Sequence, residues 1–200
     1  MTDQNEPRLA SPGAGLPPVE LVAARLLFVS KRLLCSRRSC DIRFANERQR
    51  ILELVRDCTP QQGARRVLIQ RMAGLEDSSR YWSIWMTLDH LRIVHCFMAD
   101  WIGELMRGVV PVAVSSIAAV KPRNDVGHEV LVPFEVSCNA LASVVASSSN
   151  LRTKSRYSHP WFGPLNAADW YMLSGIHMGI HRRQIERILA GLASTPNHRM

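Results

Sequence analysis

The chain has 200 residues, 46% of them hydrophobic and 21% charged, with a net charge of +8. This is enough for one soluble globular domain with a real core. No apolar run approaches the length of a membrane span, and the best, 19–35, is interrupted by Arg25, Lys31 and Arg32.

The start, Met1-Thr2-Asp3-Gln4-Asn5-Glu6, is polar and partly acidic, unlike a secretory signal, so a cytoplasmic location is expected. The five cysteines are odd in number and form no C-x-x-C, which predicts reduced thiols.

In chain order, residues 1–17 are rich in proline and glycine and read as a flexible tail. Residues 18–193 read as a single helical domain, and 194–200 as a flexible C-terminal tail. Leu21, Val22, Leu26, Val29 and Leu33 recur at helical spacing over 19–34. Ser36-Arg37-Arg38-Ser39 breaks that pattern. Asp41 is the expected N-cap of a second helix through about Arg56, with Phe44, Ile51, Leu52 and Val55 on one face. Pro60 then opens a short helix expected to reach about Met72 and stop at Gly74.

A long helix follows, capped by Asp77, Ser78 or Ser83 and ending at Gly108. Its apolar stripe runs Met86, His90, Ile93, Val94, Phe97, Trp101, Leu105. Prolines and β-branched residues make 109–133 an extended connection, with room for a hairpin across 124–127. Helical spacing resumes at Phe134 through Cys138, Leu141 and Val145. His159-Pro160-Trp161-Phe162-Gly163-Pro164-Leu165 reads as a rigid turn. Asn166 caps a final helix with Asp169 at its third position. The buried stripe of that helix is Trp170, Leu173, His177, Ile180, His181, Gln184, Ile188. Gly175 and Gly179 lie on the side away from His177 and allow another helix to come close.

The chemistry concentrates in three histidines. His177 and His181 stand one turn apart on one helix face, offset by roughly 40°. His90 lies on the apolar stripe of the other long helix. An imidazole in an apolar stripe is costly unless its nitrogens are satisfied, and one alone is ordinarily a hydrogen-bonded core residue. Three on two stripes point to a divalent metal, and neutral imidazoles suit zinc, nickel or iron. Met178-Gly179-Ile180 between the pair lacks the glutamate of a zinc peptidase. There is no G-x-S-x-G and no phosphate loop.

Gln184, one turn past His181, is a candidate pocket residue or partner to a liganding ring; an exposed helix position is its plain alternative. His159 divides between stabilising the turn and touching substrate, and Trp161 is the expected pocket edge. His95 stands roughly 140° round the helix from His90 and should not share the site. His128 and His198 read as loop and tail. Residues 24–71 hold twelve Arg/Lys against four Asp/Glu, an excess equal to the charge of the whole chain. Without interleaved aromatics, a solvated helix face is preferred to an anion or nucleic-acid surface.

Two stretches resemble the DinB-like (YfiT-like) family of metalloenzymes, unrelated to the polymerase of similar name. One is Leu75-Glu76-Asp77-Ser78-Ser79-Arg80-Tyr81-Trp82-Ser83 with Leu88-Asp89-His90-Leu91, similar to the family's W-S … H-L helix start. The other is the turn 159–165 running into His177-Met178-Gly179-Ile180-His181-Arg182-Arg183-Gln184-Ile185, similar to its F-G … H-x-x-x-H-x-x-Q-I helix. The resemblance covers about residues 40–192. It implies a four-helix bundle with a divalent metal on His90, His177 and His181. Some relatives transfer groups to or from mycothiol, bacillithiol or glutathione, or isomerise maleylpyruvate, and others are assigned as hydrolases. The arginine-rich N-terminal helices and the long 109–133 connection depart from the family pattern.

The expectation is therefore an all-α four-helix bundle of DinB/YfiT type. It carries an extra N-terminal helical segment and a long extended connection between the second and third core helices. The expected function is a metal-dependent hydrolase or thiol-dependent S-transferase acting on a small molecule, with a low-molecular-weight thiol as a second cofactor of the transferase. Nucleic acid and membrane are not expected as partners, and a homodimer is left open. The alternatives are a non-catalytic helical bundle and an anion or nucleic-acid binder. Access to the metal is expected between helices, walled by Gln184 and 109–133.

Overall fold

The structure, a computed structural model, describes residues 6–112 and 116–194. His198 and nearly all of the expected C-terminal tail lie outside the described residues. Six helices carry the fold: α1 (Pro18–Leu34), α2 (Arg37–Val55), α3 (Pro60–Ala64), α4 (Ile84–Met106), α5 (Leu131–Ala146) and α6 (Ala167–Ser194). Two small antiparallel ribbons join them. β1 (Val67–Leu68) pairs with β2 (Tyr81–Trp82), and β3 (Tyr157–His159) with β4 (Gly163–Leu165).

The molecule is a four-helix bundle of α2, α4, α5 and α6. α4 packs on α5 and α6, and α2 packs on α6. One continuous core runs through Phe44, Ile51, Leu88, Leu91, Ile102, Phe134, Leu141, Trp170 and Ile185. α4 is buried nearly all round at its start, from Ile84 to Leu91, so His90 enters the core with its helix. Gly175 and Gly179 lie where α2 crosses α6. A Cβ at Gly175 would meet Arg43 at 3.1 Å, and one at Gly179 would meet Glu47 at 3.0 Å.

Several boundaries differ from the sequence pattern. α2 starts four residues before Asp41, because Ser36 accepts the Ser39 N–H and caps it. The apparent break is thus the cap and first turn. Asp41 instead accepts the Tyr171 hydroxyl at 2.8 Å. The short helix after Pro60 ends at Ala64 rather than near Met72. The next residues are drawn into β1 by pairing with Tyr81 and Trp82, a partner that local spacing does not reveal. Among the three candidate caps of α4 it is Ser83 that accepts the Met86 N–H, while Asp77 and Ser78 sit in a 3-10 turn, Asp77–Ser79.

The connection holds no hairpin across 124–127; it carries 3-10 turns at Ala118–Val120 and His128–Val130. α5 begins at Leu131, with Pro133 in its first turn, where a missing N–H breaks no helical bond. Asn166 caps α6 as expected, in a reciprocal pair: its side chain accepts the Asp169 N–H at 2.9 Å, and Asp169 accepts the Asn166 N–H at 3.1 Å.

The N-terminal segment, read as a flexible tail, makes specific contacts over its described part. Ala10 N–H reaches Asp77, Gly13 and Gly15 N–H both reach Glu76, and Leu16 is buried. One helical stretch, His128–Ala146, is long and apolar enough to cross a membrane by length and composition. It displaces 19–35 as the best such run because its only charged side chains are Glu129 and Glu135. Phe134, Cys138, Leu141 and Val145 bury one side of it in the bundle.

α3 is fixed by contact with Trp85, a wholly buried ring whose indole N–H donates to Pro60 O at 3.0 Å. A Cβ added at Gly63 would stand 2.1 Å from that ring. Gly63→Ala is expected to destabilise the protein by about 2 kcal/mol through overpacking, read as a lowered urea midpoint. An unchanged midpoint would show that α3 does not lie against Trp85.

Candidate metal centre

α4 supplies His90 and α6 supplies His177 and His181, and the three rings meet in the core. His177 Nε2 lies 3.1 Å from His90 Nε2 and 3.1 Å from His181 Nε2. One nitrogen from each ring falls within 4.8 Å of the others. For nitrogens at zinc distance in a tetrahedral arrangement the separation is about 3.4 Å, so the measured spacing is a few tenths of an ångström short of it.

The far nitrogens of two rings are held by groups that fix their protons. His90 Nδ1 lies 2.6 Å from Val120 O, and a carbonyl can only accept. His90 Nδ1 therefore carries the proton and Nε2 presents its lone pair. His181 Nδ1 lies 2.7 Å from Gln184 Oε1, and Gln184 Nε2 donates to Ser79 O at 2.8 Å. The Ser79 carbonyl fixes the amide orientation, the amide oxygen takes the His181 Nδ1 proton, and Nε2 is again bare. Two lone pairs thus face His177 Nε2, and one ring proton there can satisfy only one of them. His177 Nδ1 is buried with no hydrogen-bond partner among the described residues. A cation at the meeting point satisfies all three acceptors, so the residues present fit a divalent metal.

Burial holds these rings neutral, the form that ligates. His90 is pushed down to about 4, chiefly by desolvation. His177 and His181 are lowered well below the ordinary histidine value, by desolvation and then by each other's or His90's charge. Trp82 covers the cluster, its ring 5.1 Å from His90 and parallel to His181 at 6.1 Å.

A cavity of about 410 Å³ reaches all three histidines. Its walls are mainly apolar and come from α1, residues 73–79, α4, α6, the β3–β4 turn and the connection at 116–121; Phe28, Trp101, Trp161, Phe162 and Trp170 are its aromatic lining. Trp161, expected as the pocket edge, lines it, and so does His159. His159 Nδ1 accepts the Trp161 N–H at 3.0 Å, which stabilises the turn and leaves Nε2 with the ring proton. Gln184 is neither exposed nor a wall: it is wholly buried behind His181. The expected mouth is corrected accordingly. The connection does form one wall, and the other is the Trp161–Trp170 side together with α1, whose packing over the bundle has no local signature. Two other surface depressions carry no histidine, one lined largely by α2 and the other lying between α1, residues 149–156 and the start of α6.

His95 is on the other side of α4, wholly buried, with Nδ1 3.5 Å from Cys138 Sγ. His128 sets its ring edge-on to Trp85 at 5.2 Å. Sequence reading missed the network that surrounds the site. Glu76, itself buried, accepts from Lys121 at 3.1 Å as well as from Gly13 and Gly15. Lys121 also reaches Ser78 and Ser79 and lies over the Trp82 ring at 5.2 Å. Lys121 precedes a proline in a polar stretch, which gave no sign of an inward charge.

Six of the twelve Arg/Lys in the basic third make bonds that brace the fold. Arg37 donates to Val145 O and Ser148 O at the end of α5, and Arg48 bridges α2 to Glu135 and Asn139. Arg25 donates to Trp161 O, Arg32 pairs with Asp169, Arg66 with Glu6 and Arg71 with Glu20.

The chain matches no protein-family model and no curated protein. Among solved structures it is similar to TT2238, described as a four-helix bundle protein. The identity is 19%, the TM-score 0.54, and the match covers 74% of this chain and 96% of that one. At that identity the likeness establishes the fold alone.

The buried histidines set a pH dependence for the metal-free protein. His90 and His159 are lowered to about 4 and His95 to about 3, all chiefly by desolvation. Unfolding releases these rings to protonate near 6.5. The unfolded chain then binds more protons between those values, so stability falls as the pH drops from 6.5 towards 4. Urea midpoints measured at pH 7, 6, 5 and 4.5 should decline in that order. A flat series would contradict the burial of neutral rings.

Proposed function

We propose that this chain is a metal-dependent enzyme in which His90, His177 and His181 hold one divalent ion, of zinc, nickel or iron, beside a small-molecule cavity. The observation that carries the reading is the convergence of three Nε2 atoms, two of them fixed as acceptors by Val120 O and by Gln184. The DinB-like resemblance, carried by the same histidines and by Gln184, agrees with it, although no family model matches the chain.

A divalent ion at such a site supplies Lewis acidity and lowers the pKa of a water or thiol placed on an open position. The chain's own residues do the rest. Val120 O and Gln184 aim the rings, and Trp82 keeps water from their backs. Phe28, Trp161 and Phe162 present an apolar wall to the substrate. His159 Nε2–H adds a donor beside them.

One feature favours thiol transfer over hydrolysis. The carboxylates that line the cavity are committed: Glu20 to Arg71 and Gly74 N–H, Glu76 to Lys121, Ser78 and two glycine N–H groups. Among the described residues the cavity has no free carboxylate base. A thiol starts from a pKa of about 8.5 and is ionised outright on the ion, whereas water must be brought down from about 15.7 to about 7 by the ion and then has no carboxylate to take its proton. We therefore place transfer to or from a low-molecular-weight thiol ahead of hydrolysis.

The test is metal analysis of purified protein, paired with a screen of thiol cofactors. About one equivalent of metal per chain is expected, with a melting temperature that falls on chelation. His181→Ala should lose the metal and remain folded, and His95→Ala should keep it. Gln184→Leu should weaken affinity roughly 10- to 100-fold by freeing the His181 ring. Equal metal content in wild type and His181→Ala would end the reading.

A further inference from the structure

α1 is held to its own chain along one narrow edge. Phe28 is its single buried residue, stacked on Phe162 at 4.5 Å. Glu20, Arg25 and Arg32 tie the same helix to Gly74, Trp161 and Asp169. The rest of α1 is apolar and open. Val19 is 84% exposed, Val22 56%, Leu26 65%, Val29 50% and Leu33 80%. A helix of 17 residues with one buried side chain is marginal in water unless a second face is also covered.

The open residues are not scattered. Their steps alternate three and four, the 3.5-residue repeat of a seam between two packed helices. The seam contains no charge. Ala23 and Ser30 beside it are small, which permits close approach, and the flanking Arg25 and Arg32 are engaged by their own chain. The seam is centred on Leu26, with Val19 and Leu33 seven residues to either side. α1 also begins acidic, at Glu20, and ends basic, at Lys31 and Arg32. Antiparallel copies therefore set unlike charges and unlike dipole ends side by side. The exposed seam amounts to on the order of 600 Å² per chain, the upper end of the largest apolar patch on a typical monomer. Two copies face to face would bury about 1,200 Å², the lower end of a stable interface.

We propose that α1 is a homodimer interface, pairing antiparallel with α1 of a second copy across a two-fold axis at Leu26. The same helix walls the cavity through Ala24, Leu27 and Phe28. Pairing therefore braces that wall from outside.

Sedimentation equilibrium of the full chain tests this. Wild type is expected at twice the chain mass at protein concentrations of about 100 µM. Leu26→Glu should raise the dimer dissociation constant at least about 100-fold, which is roughly 2.7 kcal/mol. Val136→Glu, at an exposed apolar position on α5, should leave it unchanged. Retained helical circular dichroism and metal content would separate loss of pairing from loss of fold. Leu26→Cys, placed on the axis, should cross-link on mild oxidation where wild type does not. A monomeric wild type overturns the proposal and assigns the seam to another occupant. So does a dimer that Leu26→Glu leaves intact and Leu26→Cys fails to cross-link.

Discussion

Ser79 and Val120 each turn a backbone carbonyl towards the interior, and a carbonyl can only accept. That one-sidedness governs the centre of the molecule. The Val120 oxygen fixes the proton of His90 on its outer nitrogen. The Ser79 oxygen fixes the amide of Gln184, which then fixes His181. Three rings that could adopt several tautomers are left with their inner nitrogens unprotonated at two corners of a small triangle. Such an arrangement is unfavourable inside an apolar core unless something positive sits between them. The bundle, the roof of Trp82 and the 3-10 turns Asp77–Ser79 and Ala118–Val120 all serve to hold those carbonyls in place.

The parts of this design that depend on local periodicity were visible in the sequence. His177 and His181 share a face because of the helical repeat, and His90 is buried because Met86, Val94 and Leu105 are. The cap of α6 followed from Asn166, and Ser83 was one of three caps the sequence left open for α4. What was hidden depends on groups far apart in the chain. Residues 65–72 carry apolar side chains at helical spacing, yet Val67 and Leu68 pair with a strand fourteen residues on. Ser36-Arg37-Arg38-Ser39 looked like a break because a cap and a turn use the same residue types. The role of Gln184 was half legible. Its position one turn from His181 was clear, but its burial depends on Ser79, which lies 105 residues away. No side-chain pattern marks the Val120 carbonyl, since every residue has one.

Several arginines join elements of the fold. Arg37 and Arg48 join α2 to α5, and Arg182 joins α6 to Glu47 on α2 at 2.6 Å. These guanidiniums act as struts between elements, capping helix ends and filling the spaces between polar faces. The long stems also replace apolar contacts that short surface helices would otherwise lack.

Glu76 gathers partners from three separated parts of the chain: the glycines of the N-terminal arm, Ser78 beside it, and Lys121 of the connection. Lys121 is the next residue after Val120, and Asp89 holds the same connection through the Arg123 N–H at 3.0 Å. The histidine site is thus not a property of two helices. A graft that moved only α4 and α6 into another bundle would carry the rings and lose the carbonyls that orient them. The smallest transferable unit includes 76–83 and 120–123, and it brings the N-terminal arm with it. Modularity in this fold ends where those backbone acceptors begin.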